Sequence, residues 1–590
     1  MNSNPDVLFL HVPKFSSYYK PLDEFMNVTY IPMGVFALAD LLTRARYGVQ
    51  IVHLGLEWIV DRDFSIIEFI RAKSNIKVIY MPLFWHYQSY DVIRTAEKIK
   101  RAFPHIPLIL GGFTASYFAG EIVAEFPFID GVIKGYAERP VIDLTNAIAR
   151  AARGDKRALN GHAGRGGLSE ITEAGLPAGG NSQADKTVIQ NLALSNLSAL
   201  KMKVIAGGDY SEGRYASMPN DGYQDYVTDN AMFNSMRFSA LSLMKNFCYY
   251  IKLFSFPLAY SKNLSMADNI RYNNMGLKMF PIEVGRGCVT SCTWCAGCAP
   301  NQKKMNYTTG VMWRDAQKVA DTIEEGIAYG YKTFSVCFDV EPEKQSYYID
   351  LFDIIRRRKL DCGLYFECYA LPAPDFIKSF AATFDLKESV VAISPECGNE
   401  QVRLKNKGFN FSNAALFNSL DELEKNKIRA DVFFTMGIPY ENIKTLYDTK
   451  KMISDINKRF KNIGRMMSWG VQIEPGSPLF ENPSAFDVVT DRRTFMDFYK
   501  IHSGKASDTY SALGYSVNNY FLDGVLYSPD EFSEKIMKIK CADFCFLHNN
   551  CASYNMPFSG RLTCRLRALK FKLKGFGAAR YKSMERAEFK

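Results

Sequence analysis

The sequence predicts an α/β protein in three parts: an N-terminal doubly wound, Rossmann-like parallel sheet, a partial (β/α)6 barrel of the TIM type, and a C-terminal α-rich domain. Three observations carry this. Short apolar runs alternate with amphipathic helical segments over the first 150 residues, the alternation stops in a Gly- and Ala-rich stretch, and it resumes near Met279 for six further units. The expected boundaries are 1–150 for the sheet domain, 151–275 for a linker and helical connector, 276–500 for the barrel and 501–590 for the C-terminal part. A chain of 590 residues is too long for one core, and 47% hydrophobic with 23% charged residues suits folded domains.

The elements follow in order. Asp6 to Val12 (DVLFLHV), Val49 to Leu54, Lys77 to Met81 and Leu108 to Leu110 read as strands, and Met33 to Arg46 and Ser89 to Phe103 as helices. Ligands of such sheets sit beyond the carboxyl ends of the strands. Gly111 and Gly112 in ILGGFTAS lie at such an end, where a missing side chain lets backbone approach a ligand or simply makes a turn. Residues 151–186 lack periodicity and read as a linker, and AMFNSMRFSALSLMKNFCYYIKLF as a helical bridge. In the barrel, strands are expected at Phe280 to Val284, Thr333 to Phe338, Gly363 to Cys368, Val390 to Ser394, Ala430 to Thr435 and Met467 to Ile473. Helices are expected at Val311 to Ala328 and Asn413 to Asn426.

No apolar run approaches the ~20 residues that span a bilayer, and MNSNPDVLFLHVPKF lacks the basic start and cleavage site of a secretory signal. A cytoplasmic protein without stable membrane insertion is expected. The net charge of +10, spread over this length, reads as a solvated basic surface rather than a nucleic-acid site. Thirteen cysteines, none before Cys248, do not form a disulfide framework.

Four of them fall in GRGCVTSCTWCAGC, residues 285–298, directly after the first barrel strand, where catalytic loops of such barrels belong. Cys288, Cys292 and Cys295 have the spacing C-x-x-x-C-x-x-C. Three thiolates so spaced suit three corners of a cubane iron-sulfur cluster and leave one iron open to a chelating ligand. With Cys298 added, a closed zinc site or a closed electron-transfer cluster is the alternative.

GRGCVTSCTWC resembles the signature of the radical S-adenosylmethionine (SAM) superfamily. The resemblance implies a [4Fe-4S] cluster on Cys288, Cys292 and Cys295, SAM on the open iron, and Trp294 beside the adenine. ISPECGNEQVRLKNKG resembles the fourth-strand segment, with Glu396 a SAM contact or a barrel salt-bridge residue. MGIPYEN resembles the loop after the fifth strand, with Gly437, Ile438 and Pro439 at SAM, and IEPGSPLF the segment after the sixth. Two departures stand out. Cys397 replaces the usual serine, and no Gly-Gly-Glu follows the second strand, where the chain reads CFDVEPEK.

The first domain resembles the cobalamin-binding domain of one branch of that superfamily, through YIPMGVFALADLLTRARYGVQIVHL and LILGGFTASYFAGEIVAEFPFIDGVIKGYAERP. Asp130, Val132, Gly135 and Glu138 supply its D-x-V-x-x-G-x-x-E close. The resemblance implies cobalamin contacts from Gly111, Gly112, Thr114, Ala115 and Glu138. No D-x-H-x-x-G occurs, so the expected cobalamin has its base detached and its lower face on a non-coordinating loop, FWHYQSY (84–90), whose His86 reads as packed.

The implied activity is a cobalamin-dependent C-methyltransferase acting on an unactivated carbon of a small molecule or natural-product intermediate, fed by a flavodoxin- or ferredoxin-type reductant. The alternatives are a radical cyclase or ring-rearranging enzyme and, outside enzymes, a cobalamin sensor with a structural cluster. A tRNA methylthiotransferase would need three N-terminal cysteines that this chain lacks. Cys541, Cys545 and Cys551 read as structural thiols or a second cluster, and the basic stretch Arg561 to Lys574 as a solvated face.

Overall fold

The computed structural model describes residues 4–14, 25–26, 31–61, 63–152, 204–206, 230–253, 260–261, 278–306, 310–336, 339, 344–409, 411–471, 473–486, 488–490, 492–503, 518–522 and 525–527. Among them, no helix is long and apolar enough to cross a membrane.

The first sheet holds β1 (Val7–His11), β2 (Val49–His53), β3 (Val78–Pro82), β4 (Leu108–Gly111), β5 (Gly131–Ile133) and β6 (Val204–Ala206), in the order β2-β1-β3-β4-β5-β6. All pairs are parallel except β5 with β6. The continuous apolar runs VLFLH and VIYMP are buried at every residue, as strands covered on both faces require. The strand order reverses at β1, so the loops after β1 and β3 flank a topological switch point, where sheets of this kind open a crevice.

The second sheet is six parallel strands in sequential order: β7 (Met279–Pro281), β8 (Thr333–Val336), β9 (Gly363–Cys368), β10 (Val390–Glu396), β11 (Arg429–Met436) and β12 (Ile463–Gly470). Its edge strands β7 and β12 do not pair with each other, which is the topology of an open (β/α)6 barrel. The predicted α/β class and both sheets are therefore present.

Several expected elements differ. Val311 to Ala328 is not one helix: Val311–Trp313 pairs antiparallel with Gly285–Gly287, and the helix Ala316–Ala328 starts only where Asp315 caps the Gln317 N–H. The bridge predicted over 231–254 divides into helices Asn230–Ser235 and Phe247–Leu253. Met244 lies between them, bridging Ile51 of β2, and Asn246 follows with φ 58°. The last barrel strand starts at Ile463, four residues earlier than its apolar run, because Ile463 pairs with Ala430. Strands β5 and β6 were not expected as elements. Beyond 503, the described residues Asn518–Leu522 and Val525–Tyr527 form an antiparallel ribbon with Val488–Thr490. The linker stretch from 153 to 186, Cys541, Cys545, Cys551, Cys564 and the basic stretch lie outside the described residues.

Two hydrophobic clusters run through both units. One joins Val7, Phe9 and Ile51 to Phe280, Phe334 and Leu364. The other joins Leu8, Val92 and Phe118 to Ile438, Ile473 and Phe480. In the second, Phe118 sets its ring 5.8 to 6.3 Å from those of Phe480, Phe495 and Phe498. Each such aromatic pair adds about 0.5–1.5 kcal/mol beyond area burial. The two sheets are thus held as neighbours through shared hydrophobic clusters.

Candidate functional site

The cysteine loop leaves the barrel through a forced turn. Gly287 has φ 95°, and a Cβ there would lie 2.3 Å from the carbonyl oxygen of Gly310, so only glycine lets the ribbon close and deliver Cys288. Within the loop, Thr290 donates its N–H to Cys288 Sγ at 3.4 Å, and its hydroxyl lies 3.1 Å from Cys288 Sγ and 3.5 Å from Cys292 Sγ. Gly297 N–H points to Cys295 Sγ at 3.3 Å. Backbone and hydroxyl donors directed at sulfur stabilise thiolates.

Cys288, Cys292 and Cys298 are buried. Burial pushes the thiols of Cys292 and Cys295 upward and that of Cys298 to about 11, so thiolates here call for a cation. Among the described residues, no three His, Cys, Asp or Glu side chains converge on one metal ion. A cubane sets each thiolate on its own iron and needs no common point, and the donor set of Cys288, Cys292 and Cys295 fits it.

Segments distant in sequence frame this loop. Asn406, at the end of helix Glu400–Lys407, accepts from the Thr293 hydroxyl at 2.6 Å with its side chain and from the Thr293 N–H at 2.9 Å with its backbone, and donates to Pro439 O at 2.8 Å. It ties the cysteine loop to the Gly437–Ile438–Pro439 turn. In that turn Gly437 has φ 75°, its N–H is held by Glu441 at 2.7 Å, and Ile438 is buried. Leu479 N–H bonds Thr293 O at 2.8 Å, and Gly476 leaves room for Asn301, which a Cβ would meet at 2.3 Å. Trp294 is half-buried against the cluster containing Ile438 and Leu479.

Glu396 ends β10 with φ 63°, a strained conformation for a residue with a side chain. Its carboxylate accepts from Lys407 Nζ at 3.3 Å and from the Thr435 hydroxyl at 2.5 Å. Lys407 is itself buried and also donates to Ser394 O at 2.9 Å. Glu396 is thus a barrel salt-bridge residue, placed beside the thiols, since both it and Lys407 act on Cys292. Cys397, where serine was expected, is fully buried and donates to Asn399 O, and burial pushes its thiol up to about 12. Asn406 and Tyr369 were missed. The Tyr369 phenol is pushed well up by burial and then by the charges of Cys295, Cys288 and Cys292, and its carbonyl accepts from Lys407 Nζ at 3.4 Å. Neither residue carries a local signal beyond the NKG triplet.

In the first domain, Gly112 has φ 96°, and a Cβ there would meet the Leu83 carbonyl at 3.0 Å. Its freedom is used against the loop after β3, whereas the Cβ position of Gly111 is open, with only Ile133 O at 4.0 Å. Thr114 donates its hydroxyl to Phe84 O at 2.9 Å, and Ala115 its N–H to Leu83 O at 3.2 Å. The D-x-V-x-x-G-x-x-E residues have separate tasks. Asp130 pairs Lys100 at 2.9 Å and accepts from Leu108 N–H at 2.6 Å, Val132 is core, Gly135 turns with φ 73°, and Glu138 pairs with Arg286.

The loop 84–90 lies at the switch point. Phe84 is exposed, and the rings of Trp85 and Tyr87 stack with centres 5.9 Å apart and planes 8° from parallel. His86 is packed, as expected: it is buried, with its Nδ1 3.2 Å from His502 Nε2 and its Nε2 3.6 Å from Glu474 Oε2.

No protein-family model matches the sequence, and no curated protein matches it. Among solved structures, the chain is similar to the radical S-adenosylmethionine methyltransferase TsrM from Kitasatospora setae with cobalamin and a [4Fe-4S] cluster bound. The TM-score is 0.59 at 13% identity, over 96% of this chain and 99% of that one. It is also similar to that enzyme with tryptophan substrate and the SAM analogue aza-SAM bound, with a TM-score of 0.56 at 14% identity, over 94% and 92%. The shared fold extends over both sheets.

Proposed function

We propose that this chain is a cobalamin-dependent radical SAM enzyme that methylates an unactivated carbon of a small molecule held between the strand ends of its two sheets. The carrying observation is that Trp294, beside the thiols, and Leu83, just before the aromatic loop, pack on one hydrophobic cluster that runs through both sheets. The likeness to TsrM over nearly the whole of both chains supports this reading.

Cys288, Cys292 and Cys295 would hold the [4Fe-4S] cluster. Trp294, Glu396 and the turn Gly437–Pro439 would border SAM, and Gly111 with residues 84–90 would face cobalamin. Glu138 joins the two domains through Arg286, and Gly112, Thr114 and Ala115 shape the strand end beneath the ligand. When bound, the cluster supplies the electron that cleaves SAM, and cobalamin supplies the transferable methyl group. The chain's own contribution is position and exclusion of water. Lys407 fixes Glu396 beside the thiols, Asn406 sets the loop-to-turn distance, and the Phe118, Phe480, Phe498 cluster closes the junction. Electrons would come from a flavodoxin- or ferredoxin-type protein, and an oxygen-labile cluster suits the cytoplasm.

The test is anaerobic reconstitution with iron, sulfide and cobalamin, followed by metal analysis, electron paramagnetic resonance and transfer of label from methyl-labelled SAM. Loading of four irons and one cobalt per chain, with methylated product, supports the reading. A protein that takes up neither metal overturns it.

A further inference from the structure

Four ionisable side chains line up across the junction. Lys14 Nζ lies 3.0 Å from His502 Nδ1, His502 Nε2 lies 3.2 Å from His86 Nδ1, and His86 Nε2 lies 3.6 Å from Glu474 Oε2. Lys14, His86 and His502 are at most 2% exposed, whereas the Glu474 side chain is 32% exposed. His86 Nε2 is buried and makes no hydrogen bond in this arrangement, so its contact with Glu474 is an approach short of a bond.

The placement is specific. Lys14 follows β1 and His86 follows β3, the two strands that flank the switch point. His502 comes from the helix Phe495–Ser503. Glu474 comes after β12, in the segment whose Leu479 N–H bonds Thr293 of the cysteine loop. The chain of side chains thus begins at a buried lysine of the first domain and ends at a part-exposed carboxylate five residues before Leu479, which bonds the cysteine loop. Burying a lysine and two imidazoles costs solvation that an apolar trio would not, so packing alone does not account for them.

We propose that Lys14, His502, His86 and Glu474 form a proton-transfer chain that takes a proton from an O–H or N–H group of the substrate in the junction. The proposal rests on the reading of that junction as the substrate site. Each imidazole receives a proton on one ring nitrogen and releases one from the other. The substrate O–H or N–H bond breaks, leaving its electron pair on the oxygen or nitrogen, and the proton joins the Glu474 carboxylate. It passes to His86 Nε2 as the Nδ1 proton of His86 moves to His502 Nε2, and the Nδ1 proton of His502 moves to neutral Lys14. One proton has moved and no electron has changed hands. The class of substrate is therefore a small molecule with a hydroxyl or amine on its otherwise unactivated reacting carbon, where proton loss weakens the C–H bond to be broken.

The electrostatics agree with the geometry. Burial lowers the Lys14 ammonium to about 8 against the Asp91 carboxylate, which raises it. Burial, followed by the charges of Lys14, His86 and Arg492, holds His502 well below its usual range. A neutral His502 beside a Lys14 that loses its proton near 8 is therefore available to the chain.

The test uses the full chain with its seven histidines labelled with 15N, before any cofactor is added. Ring-nitrogen shifts of both His502 and His86 are expected to share an inflection near the Lys14 value of about 8. In Lys14→Met both residues lose it, and in Lys14→Arg, whose charge does not titrate in this range, both also lack it. Glu474→Gln keeps the inflection and displaces only the His86 Nε2 signal strongly. If Lys14→Met changes His502 and leaves His86 untouched, the chain is broken and the proposal is overturned. Equal thermal midpoints show that Lys14→Met folds, and His86→Gln, in which His502 must keep the inflection because its Nδ1 still meets Lys14, provides a second check whose failure also overturns the proposal. Failure of the junction as a substrate site would show instead as wild-type protein that binds no iron or cobalt.

Discussion

Arg286 Nη1 donates to Glu138 Oε1 at 2.5 Å, joining the residue two places before the first cluster cysteine to the last residue of the first domain's D-x-V-x-x-G-x-x-E motif. Both side chains are at most 10% exposed, and the guanidinium lies 4.8 Å from the ring centres of Tyr136 and Phe233. Removing one partner of a buried pair costs about 3–5 kcal/mol where the other charge is left uncompensated. Glu283, 3.5 Å from Arg286, keeps part of the compensation, so Glu138→Ala is expected to lose less than that in denaturant unfolding. Adding Arg286→Met should recover part of it, which a double-mutant cycle measures.

The thiols separate by role. Alanine at Cys288, Cys292 or Cys295 is expected to abolish cluster loading, read as iron content and visible absorbance after anaerobic reconstitution. Cys298→Ala should load normally, because a cubane with three protein ligands does not need it.

Asn406 serves two loops at once, through the Thr293 hydroxyl and Pro439 carbonyl. Asn406→Leu leaves both groups unsatisfied, at about 1–3 kcal/mol for each buried group. Iron should then leave the reconstituted protein faster than from wild type when a chelator is added, while helix content by circular dichroism stays the same.

Glu367 on β9 has its carboxyl raised to about 7 from an ordinary 4.5, chiefly by burial and against the lowering effects of the Tyr365 hydroxyl and Arg465. A folded-state value above the unfolded one means that the stability this group contributes is complete below about 4.5 and is lost as pH rises through about 7. Glu367→Gln is expected to flatten the unfolding midpoint against pH across that window. An unchanged slope would show that another group titrates there.

The fully buried runs VLFLH and VIYMP appear in the sequence as apolar stretches, and the cysteine spacing marked the loop at the barrel mouth. Errors fell where a long-range partner overrode local pattern. VMW at 311–313 follows helical periodicity, yet it pairs with Gly285–Gly287, and Ile463 joins the last strand through Ala430 outside its apolar run. Glu396 was left between two roles because its partner Lys407 lies one helix later and meets it only when the chain folds back.

Side-chain types and their near spacing, which depend on neighbours within a turn or two, already settled the βα alternation, the three-thiol loop and the absence of a coordinating histidine motif. Only packing decided that Glu138 answers Arg286, that Asn406 joins loop to turn, and that Lys14 and His86 meet His502 across 488 and 416 residues of chain. Such contacts leave no periodic trace, because what brings the groups together is the burial of apolar surface by whole sheets and helices, to which their own positions in the sequence are indifferent.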